Sequence, residues 1–202
     1  MDDRPLVIGI AGPSCSGKTS LARRLAERLT GGGLVFELDW YYHDQAGRSL
    51  DDVEVDVPEA IDHELLTAHL RRLVDGHAIE RPVYDYATHS RAREGVTVQA
   101  AANIVVEGLF ALYWPGLRDL YDHSVFILAD HDTCLARRIE RDTRERGRTA
   151  DQVTRQYLHK VRPMYEEHVH PTHAEADLLL PGEDSPESMT TSVLRLVRGK
   201  PE

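Results

Sequence analysis

The chain has 202 residues, 41% of them hydrophobic and 29% charged, which is the balance of an ordinary globular protein and the length of a single domain. Its net charge of −10, from 24 basic and 34 acidic residues, argues against a nucleic-acid polymer as partner, because such a backbone is held through cationic contacts. No apolar run approaches the ~20 residues of a membrane helix, and the start MDDRPLV lacks the basic and then apolar segments of a secretion signal. Cytoplasm is therefore the expected compartment and no membrane partner is expected. The two cysteines, Cys15 and Cys134, read as reduced thiols.

Leu6 to Ile10 is a continuous apolar run, suited to a strand buried on both faces. Lys18 to Leu29 reads as a helix, with Leu21, Leu25 and Leu29 repeating every four residues and Ala22 and Ala26 widening the stripe. Gly31-Gly32-Gly33 stops it. Leu34 to Leu38 is a second strand ending at Asp39, and a polar loop runs on to Pro58. A helix starts at Asp62 or His63, carries Leu65, Leu66, Leu70 and Leu73, and ends at Gly76. Two short β-like pieces, Ile79 to Tyr84 and Gly95 to Val98, flank a polar middle and predict a small antiparallel insertion over 78–99. Asn103 to Val106 is the third buried strand, ending at Glu107-Gly108, and Val125 to Ala129 the fourth. Asp132 to Glu145 is helical, and Ala150 to His168 is helical but broken near Pro163. Leu178 to Leu180 is a fifth strand, and Ser185 to Arg198 a closing helix. Strands alternating with helices predict an α/β fold, a five-stranded parallel sheet of the P-loop NTPase type with helices on both faces.

The spacing Gly12-x-x-x-x-Gly17-Lys18-Thr19 falls between the first strand and the first helix, where a phosphate-binding loop belongs. Glycines let backbone N–H groups turn inward around oxygens, and the helix N-terminus adds partial positive charge. Gly12, Ser14, Ser16, Gly17, Lys18, Thr19 and Ser20 are thus the expected nucleotide-binding residues, with Lys18 reaching the β- and γ-phosphates and Thr19 on Mg²⁺. The single asparagine, Asn103, is followed by Ile104, so the Asn-Lys-x-Asp motif of a GTPase is absent. A transporter ATPase signature is absent too, which leaves a small-molecule kinase or another ATPase.

Ligands of an open parallel sheet bind beyond the carboxyl ends of its strands. Asp39 and Glu107 stand at two such ends. One carboxylate there can accept the proton of an attacking hydroxyl and the other can hold the metal or its waters. Arg137 to Arg148 contains six arginines against Glu140, Asp142 and Glu145. Arg138 and Arg141 share a helix face, and Arg146 and Arg148 flank Gly147, which suggests a mobile lid over 137–150 that closes on transferring phosphates.

Read together, GPSCSGKTS, LDWYY, DVPEAID, RPVYDYATHSR, VVEGLF, RRIERDTRERGR and QYLHKVRPMYEEHVHPT resemble the uridine kinase (uridine–cytidine kinase) family from about Val7 to Pro181. The resemblance implies transfer of phosphate from ATP or GTP, with Mg²⁺, to the 5′-hydroxyl of uridine or cytidine. It implies Asp39 as general base, Thr19 and Glu107 at the metal, and Asp56 and Arg138 on the ribose hydroxyls. Tyr84 and His89 would read the pyrimidine, Tyr86 would stack near it, and Gln156 would lie near the substrate. Arg141, Arg146 and Arg148 would contact phosphates as catalytic groups beside Lys18. A homotetramer is implied by analogy with relatives. Three departures concern the acceptor pocket: a loop from Asp39 to Asp56 shorter than usual, PEAID in place of PDAFD with loss of an aromatic, and Trp40 beside the expected base. Two other readings stand beside this one. A related kinase with another acceptor, phosphoribulokinase-like or pantothenate kinase-like, would need extra cations for an acceptor phosphate in the former case. A non-catalytic nucleotide-binding regulator would keep the fold without turnover. His168, His170 and His173 are close in sequence, but their spacing matches no regular helix face, so they are read as structural.

Overall fold

A computed structural model describes residues 4–48, 53 and 56–199. In chain order its elements are β1 (Leu6–Ala11), α1 (Lys18–Arg28), β2 (Leu34–Glu37), a 3₁₀ turn (Leu38–Tyr41), a second 3₁₀ turn (Pro58–Ala60) and α2 (His63–Val74). There follow β3 (Ile79–Arg81), β4 (Tyr84–Asp85), β5 (Ser90–Arg91), β6 (Val96–Val98), β7 (Asn103–Glu107), α3 (Pro115–Arg118), β8 (His123–Leu128) and α4 (His131–Glu145). The chain then enters α5 (Ala150–Gln156), a π-helical turn (Tyr157–Val161), α6 (Arg162–Met164), a second π turn (Tyr165–Val169) and a 3₁₀ turn (His170–Glu175). It ends in β9 (Leu178–Pro181) and α7 (Pro186–Val197).

The main sheet has five strands in the order β2-β7-β1-β8-β9, all parallel. β1 is buried on both faces because its residues alternate between two cores. Val7 and Ala11 face a cluster with Phe36, Leu66, Leu70 and Phe110, on the side of α2 and α3. Ile8 and Ile10 face a second cluster with Leu21, Leu25, Val193 and Leu194, under α1 and α7. That alternation explains why this strand reads as an unbroken apolar run.

Three details differ from the sequence reading. β2 stops at Glu37, and Asp39 rides on the following 3₁₀ turn instead of ending the strand. The polar middle of the insertion is itself structured. β3 pairs antiparallel with β6, and beyond them β4 pairs with β5, so the hairpin is two-tiered. The segment around Pro163 is not broken. Its backbone stays right-handed helical from Gln156 through His170 by winding into π turns, in which Arg162 N bonds back to Tyr157 O. A π turn widens the helix at a point where the proline ring, lacking an N–H, would otherwise strike the carbonyl four residues back. Of the loop between Asp39 and Asp56, read from sequence as shorter than usual, residues 49–52 and 54–55 lie outside the described residues.

Candidate active site

A cleft of about 450 Å³ opens at the carboxyl ends of β1, β2 and β7. Its floor is the loop from Ser14 to Ser20. Cys15 sits at φ +64, a left-handed conformation rare for cysteine, of the kind that turns successive N–H groups toward one point. Gly12 is required by space, since a Cβ there would lie 2.6 Å from the Ile127 carbonyl oxygen. Asp62, Asp130, Thr149 and Ser185 cap their helices through side chains, but α1 begins at Gly17 with no side-chain cap and no acid in its first turn. Its first amides are left for a ligand. The buried Ser16 hydroxyl has no hydrogen-bond partner among the described residues, which fits an acceptor brought in by a bound phosphate.

Lys18 is buried, and its ammonium donates to Pro13 O at 2.7 Å within the loop. Burial lowers its pKa, against the opposing pull of Glu107 and Asp39. Thr19 Oγ1 donates to Glu107 Oε1 at 2.8 Å. These two hard oxygen groups suit Mg²⁺, which takes few protein ligands and fills its sphere with water and phosphate oxygens. Burial pushes the Glu107 carboxyl up to about 7, against Lys18, with Asp39 adding to the rise. A raised acid binds protons in the folded state that it releases in the unfolded one. Its stabilising contribution is therefore complete below its ordinary 4.5 and lost as pH rises through about 7. The cost at higher pH is on the order of 3 kcal/mol without a cation. Glu107→Gln should thus melt progressively higher than the wild type as pH rises from about 5 to about 8 in chelator. Melting curves of the pair check this, and a gap that stays constant with pH would contradict it.

The opposite wall carries Asp39, Tyr42, Asp56 and Tyr86. Tyr86 OH donates to Asp39 Oδ2 at 2.5 Å, and burial holds its phenol well above its ordinary pKa, so it remains a donor. Asp39 is brought toward Glu107 by close packing. A Cβ on Gly108 would lie 2.6 Å from Leu38 Cβ. Behind Tyr86 the hairpin sets the Tyr84 ring edge-on at 5.1 Å, and Tyr84 OH is hydrogen-bonded to His89 Nδ1 at 3.2 Å. His89 is buried, and its Nε2 has no partner among the described residues. Burial, then the charges of Arg148 and Arg146, lowers its pKa.

From α4, Arg137, Arg138 and Arg141 line the cleft, joined by Arg146. Arg138 Nη1 donates to Ser14 Oγ at 3.3 Å, and its Nη2 is 3.7 Å from Asp56. The Arg146 guanidinium lies 4.7 Å over the Tyr86 ring. Arg148 donates to Gln156 Oε1 at 2.8 Å. The structure thus gathers most of the residues expected from sequence around one cleft. Tyr84, His89, Arg148 and Gln156 stand one layer behind its wall.

Two of the departures resolve as packing. Ile61, where PEAID lacks an aromatic, is buried in the core and bridges Tyr42 in β fashion, so it does not line the cleft. Trp40 packs edge-on against Phe36 with the Arg81 guanidinium 4.2 Å over its ring. The histidines separate: His168 meets the Tyr113 ring, whereas His170 and His173 lie against each other.

Three residues of the site went unassigned from sequence. Tyr42 lines the cleft. Asp142 is fully buried among arginines. Arg91 ties the hairpin to the turn that carries Asp39. Its Nη2 donates to Tyr41 O at 2.6 Å, its Nε to Tyr42 O at 2.5 Å, and its Nη1 is 3.3 Å from Asp62. Arg91→Ala is expected to cost about 2–3 kcal/mol of stability, since three charge-assisted contacts are lost, the Tyr42 carbonyl loses this donor and the Tyr41 carbonyl keeps only the Asp62 amide. Urea unfolding measures it. A change below about 0.5 kcal/mol would show that the clamp contributes nothing.

A parallel five-stranded sheet, a Gly-Lys-Thr loop after its first strand and two carboxylates, Asp39 and Glu107, lining the same cleft define a P-loop kinase. A family model described as Phosphoribulokinase / Uridine kinase family matches residues 7–185, and the chain belongs to that family. It is 44% identical over 182 residues to a uridine kinase of Deinococcus deserti, covering 88% of each chain. It is 42% identical over 182 residues to a uridine kinase of Oceanobacillus iheyensis, covering 88% of this chain and 87% of the relative. In fold it is similar to phosphoribulokinase from Rhodobacter spheroides, with a TM-score of 0.64 at 17% identity, over 89% of this chain and 71% of that one. Among the described residues no helix is long and apolar enough to cross a membrane.

Proposed function

We propose that the chain is a pyrimidine ribonucleoside kinase, transferring the γ-phosphate of ATP or GTP to the 5′-hydroxyl of uridine or cytidine. One observation carries the reading: the cleft sets a phosphate cradle opposite a carboxylate, Asp39, whose own wall is aromatic and polar. The hairpin places Tyr86 on the cleft wall, with Tyr84 and His89 bonded to each other one layer behind it, an aromatic and hydrogen-bonding surround that suits a neutral heterocycle. Its Arg81 lies over Trp40 and its Arg91 is bound to backbone carbonyls, so neither is turned to an acceptor phosphate. The relatives named as uridine kinases support the same acceptor.

In this reading Gly12, Ser14, Ser16, Gly17 and Ser20 cradle the donor phosphates, with Lys18 on the β- and γ-oxygens. Thr19 and Glu107 would hold Mg²⁺, which would supply positive charge to the donor phosphates. Asp56 and Arg138 take the ribose hydroxyls, while Tyr84 and His89 read the base. Asp39, oriented by Tyr86, accepts the proton of the 5′-hydroxyl as it attacks. Arg141, Arg146 and Arg148 meet the charge that develops on the transferring group, and Gln156 orients Arg148. The segment 137–150 serves as the lid. Cys15 and Cys134 are free thiols, which agrees with a cytoplasmic enzyme. A homotetramer is the proposed assembly, by analogy with relatives, and light scattering tests it.

Initial rates with ATP and GTP against uridine, cytidine, adenosine, ribulose 5-phosphate and pantothenate test the acceptor. Turnover of uridine or cytidine is expected. Turnover confined to ribulose 5-phosphate or pantothenate would overturn the nucleoside pocket, and nucleotide binding without transfer to any acceptor would leave a regulator.

A further inference from the structure

Asp142 lies on α4 with no solvent exposure, and the transfer scheme above gives it no part. Arg141 Nε donates to its Oδ1 at 2.8 Å. Arg146 Nη1 is 3.5 Å from the same oxygen, while Arg138 Nε and Arg148 Nη1 are 3.7 and 3.9 Å from Oδ2. Oδ2 and Arg138 Nε have no hydrogen-bond partner among the described residues. The backbone amides of Arg146 and Arg148 both donate to the Asp142 carbonyl, at 3.1 and 3.2 Å, so the chain curls around this one residue.

Guanidiniums drawn this close repel, and in a partly dry site the repulsion is poorly screened. A single carboxylate offsets part of it. Three of its four contacts are longer than ordinary hydrogen bonds, so it gathers the arginines without consuming their donors. Those donors face elsewhere. Arg138 reaches Ser14 of the phosphate loop, Arg148 reaches Gln156, and Arg146 covers Tyr86, which donates to Asp39. Burial alone would raise the Asp142 pKa, but the hydrogen bond and charge of Arg141, with Arg146 and Arg138, outweigh it and hold the group ionised.

We propose that Asp142 is the positioning residue of the arginine array, an internal counter-anion that gathers Arg141 and Arg146 at the cleft, with Arg148 behind them, for the transferring phosphoryl group, and holds Arg138 beside the ribose site. The inference rests on the reading that Arg141, Arg146 and Arg148 act on that group. Asp142→Asn keeps the shape and removes the charge. Its kcat should fall about a hundredfold while the donor KM stays within about threefold, because the loop and Lys18 carry ground-state phosphate binding. A fold-only role would slow every background alike. In an enzyme carrying Arg146→Gln and Arg148→Gln, where only Arg141 and Arg138 remain to be held, Asp142→Asn should therefore cost about tenfold at most, clearly less than in the wild type.

An Asp142→Asn enzyme with kcat within about threefold of wild type overturns the proposal, as does an equal loss in both backgrounds. If Asp142→Asn does not fold, Asp142→Glu runs the same cycle. Its displaced carboxylate should cost about tenfold in the wild-type background and little in the arginine-deficient one, and equal losses overturn the proposal. The two ideas fail separately. Wild-type kcat in the Arg146→Gln, Arg148→Gln enzyme would sink the arginine reading. A slow enzyme there beside a fast Asp142→Asn would sink only the role of Asp142.

Discussion

Asp39→Asn is expected to lower kcat by about 10²–10⁴, with donor affinity changed by less than about threefold. The 5′-hydroxyl of a nucleoside is a weak acid and must lose its proton as the phosphorus–oxygen bond forms. Asp39 shares the cleft wall opposite the loop with Asp56, and Tyr86 OH fixes one of the Asp39 oxygens at 2.5 Å, which leaves the other to accept. Asparagine fills the same space and can still take the Tyr86 hydrogen bond through its oxygen, but it presents an NH₂ where the proton must go. In the proposed reading the donor is bound on the opposite side, by the loop and Lys18. Pre-steady-state nucleotide binding and steady-state turnover separate the two effects. A kcat within tenfold of wild type would remove Asp39 from the base role.

Lys18→Ala should cost about 10²–10³ in kcat and weaken the donor as well. The ammonium is buried in the floor of the cleft, bonded to Pro13 O and attracted by Glu107 and Asp39. Desolvation makes this charge costly to keep and strong when an anion arrives. Removing it also takes away the cation that opposes the rise of the Glu107 carboxyl, so Glu107 and Asp39 would repel uncompensated and the Mg²⁺ dependence should steepen. Titration of rate against Mg²⁺ checks this. An unchanged half-saturation with lost kcat would place Lys18 on the phosphates alone.

Much of this site was legible because phosphate chemistry constrains sequence locally. The run from Gly12 to Thr19 needs a strand before it and a helix after it, and periodicity places both. The five strands were found for the same reason: parallel strands buried on both faces are short and apolar. What escaped depends on long-range packing. Nothing in LDWYY says that Asp39 sits on a 3₁₀ turn pressed against Gly108. Arg91 and Asp142 are charged residues within recognisable motifs, yet their importance comes from burial against backbone carbonyls and arginines that meet only in three dimensions. Pro163 misled because it ordinarily breaks an α-helix, and π winding accommodates it.

The most direct test of the central claim is product analysis by ³¹P NMR after incubation with ATP, Mg²⁺ and uridine, beside 5′-deoxyuridine as a control. The account predicts a phosphate monoester on the 5′-oxygen of uridine, formed in step with ADP, and no product from 5′-deoxyuridine. Inorganic phosphate alone, or a monoester on another ribose oxygen, would contradict it.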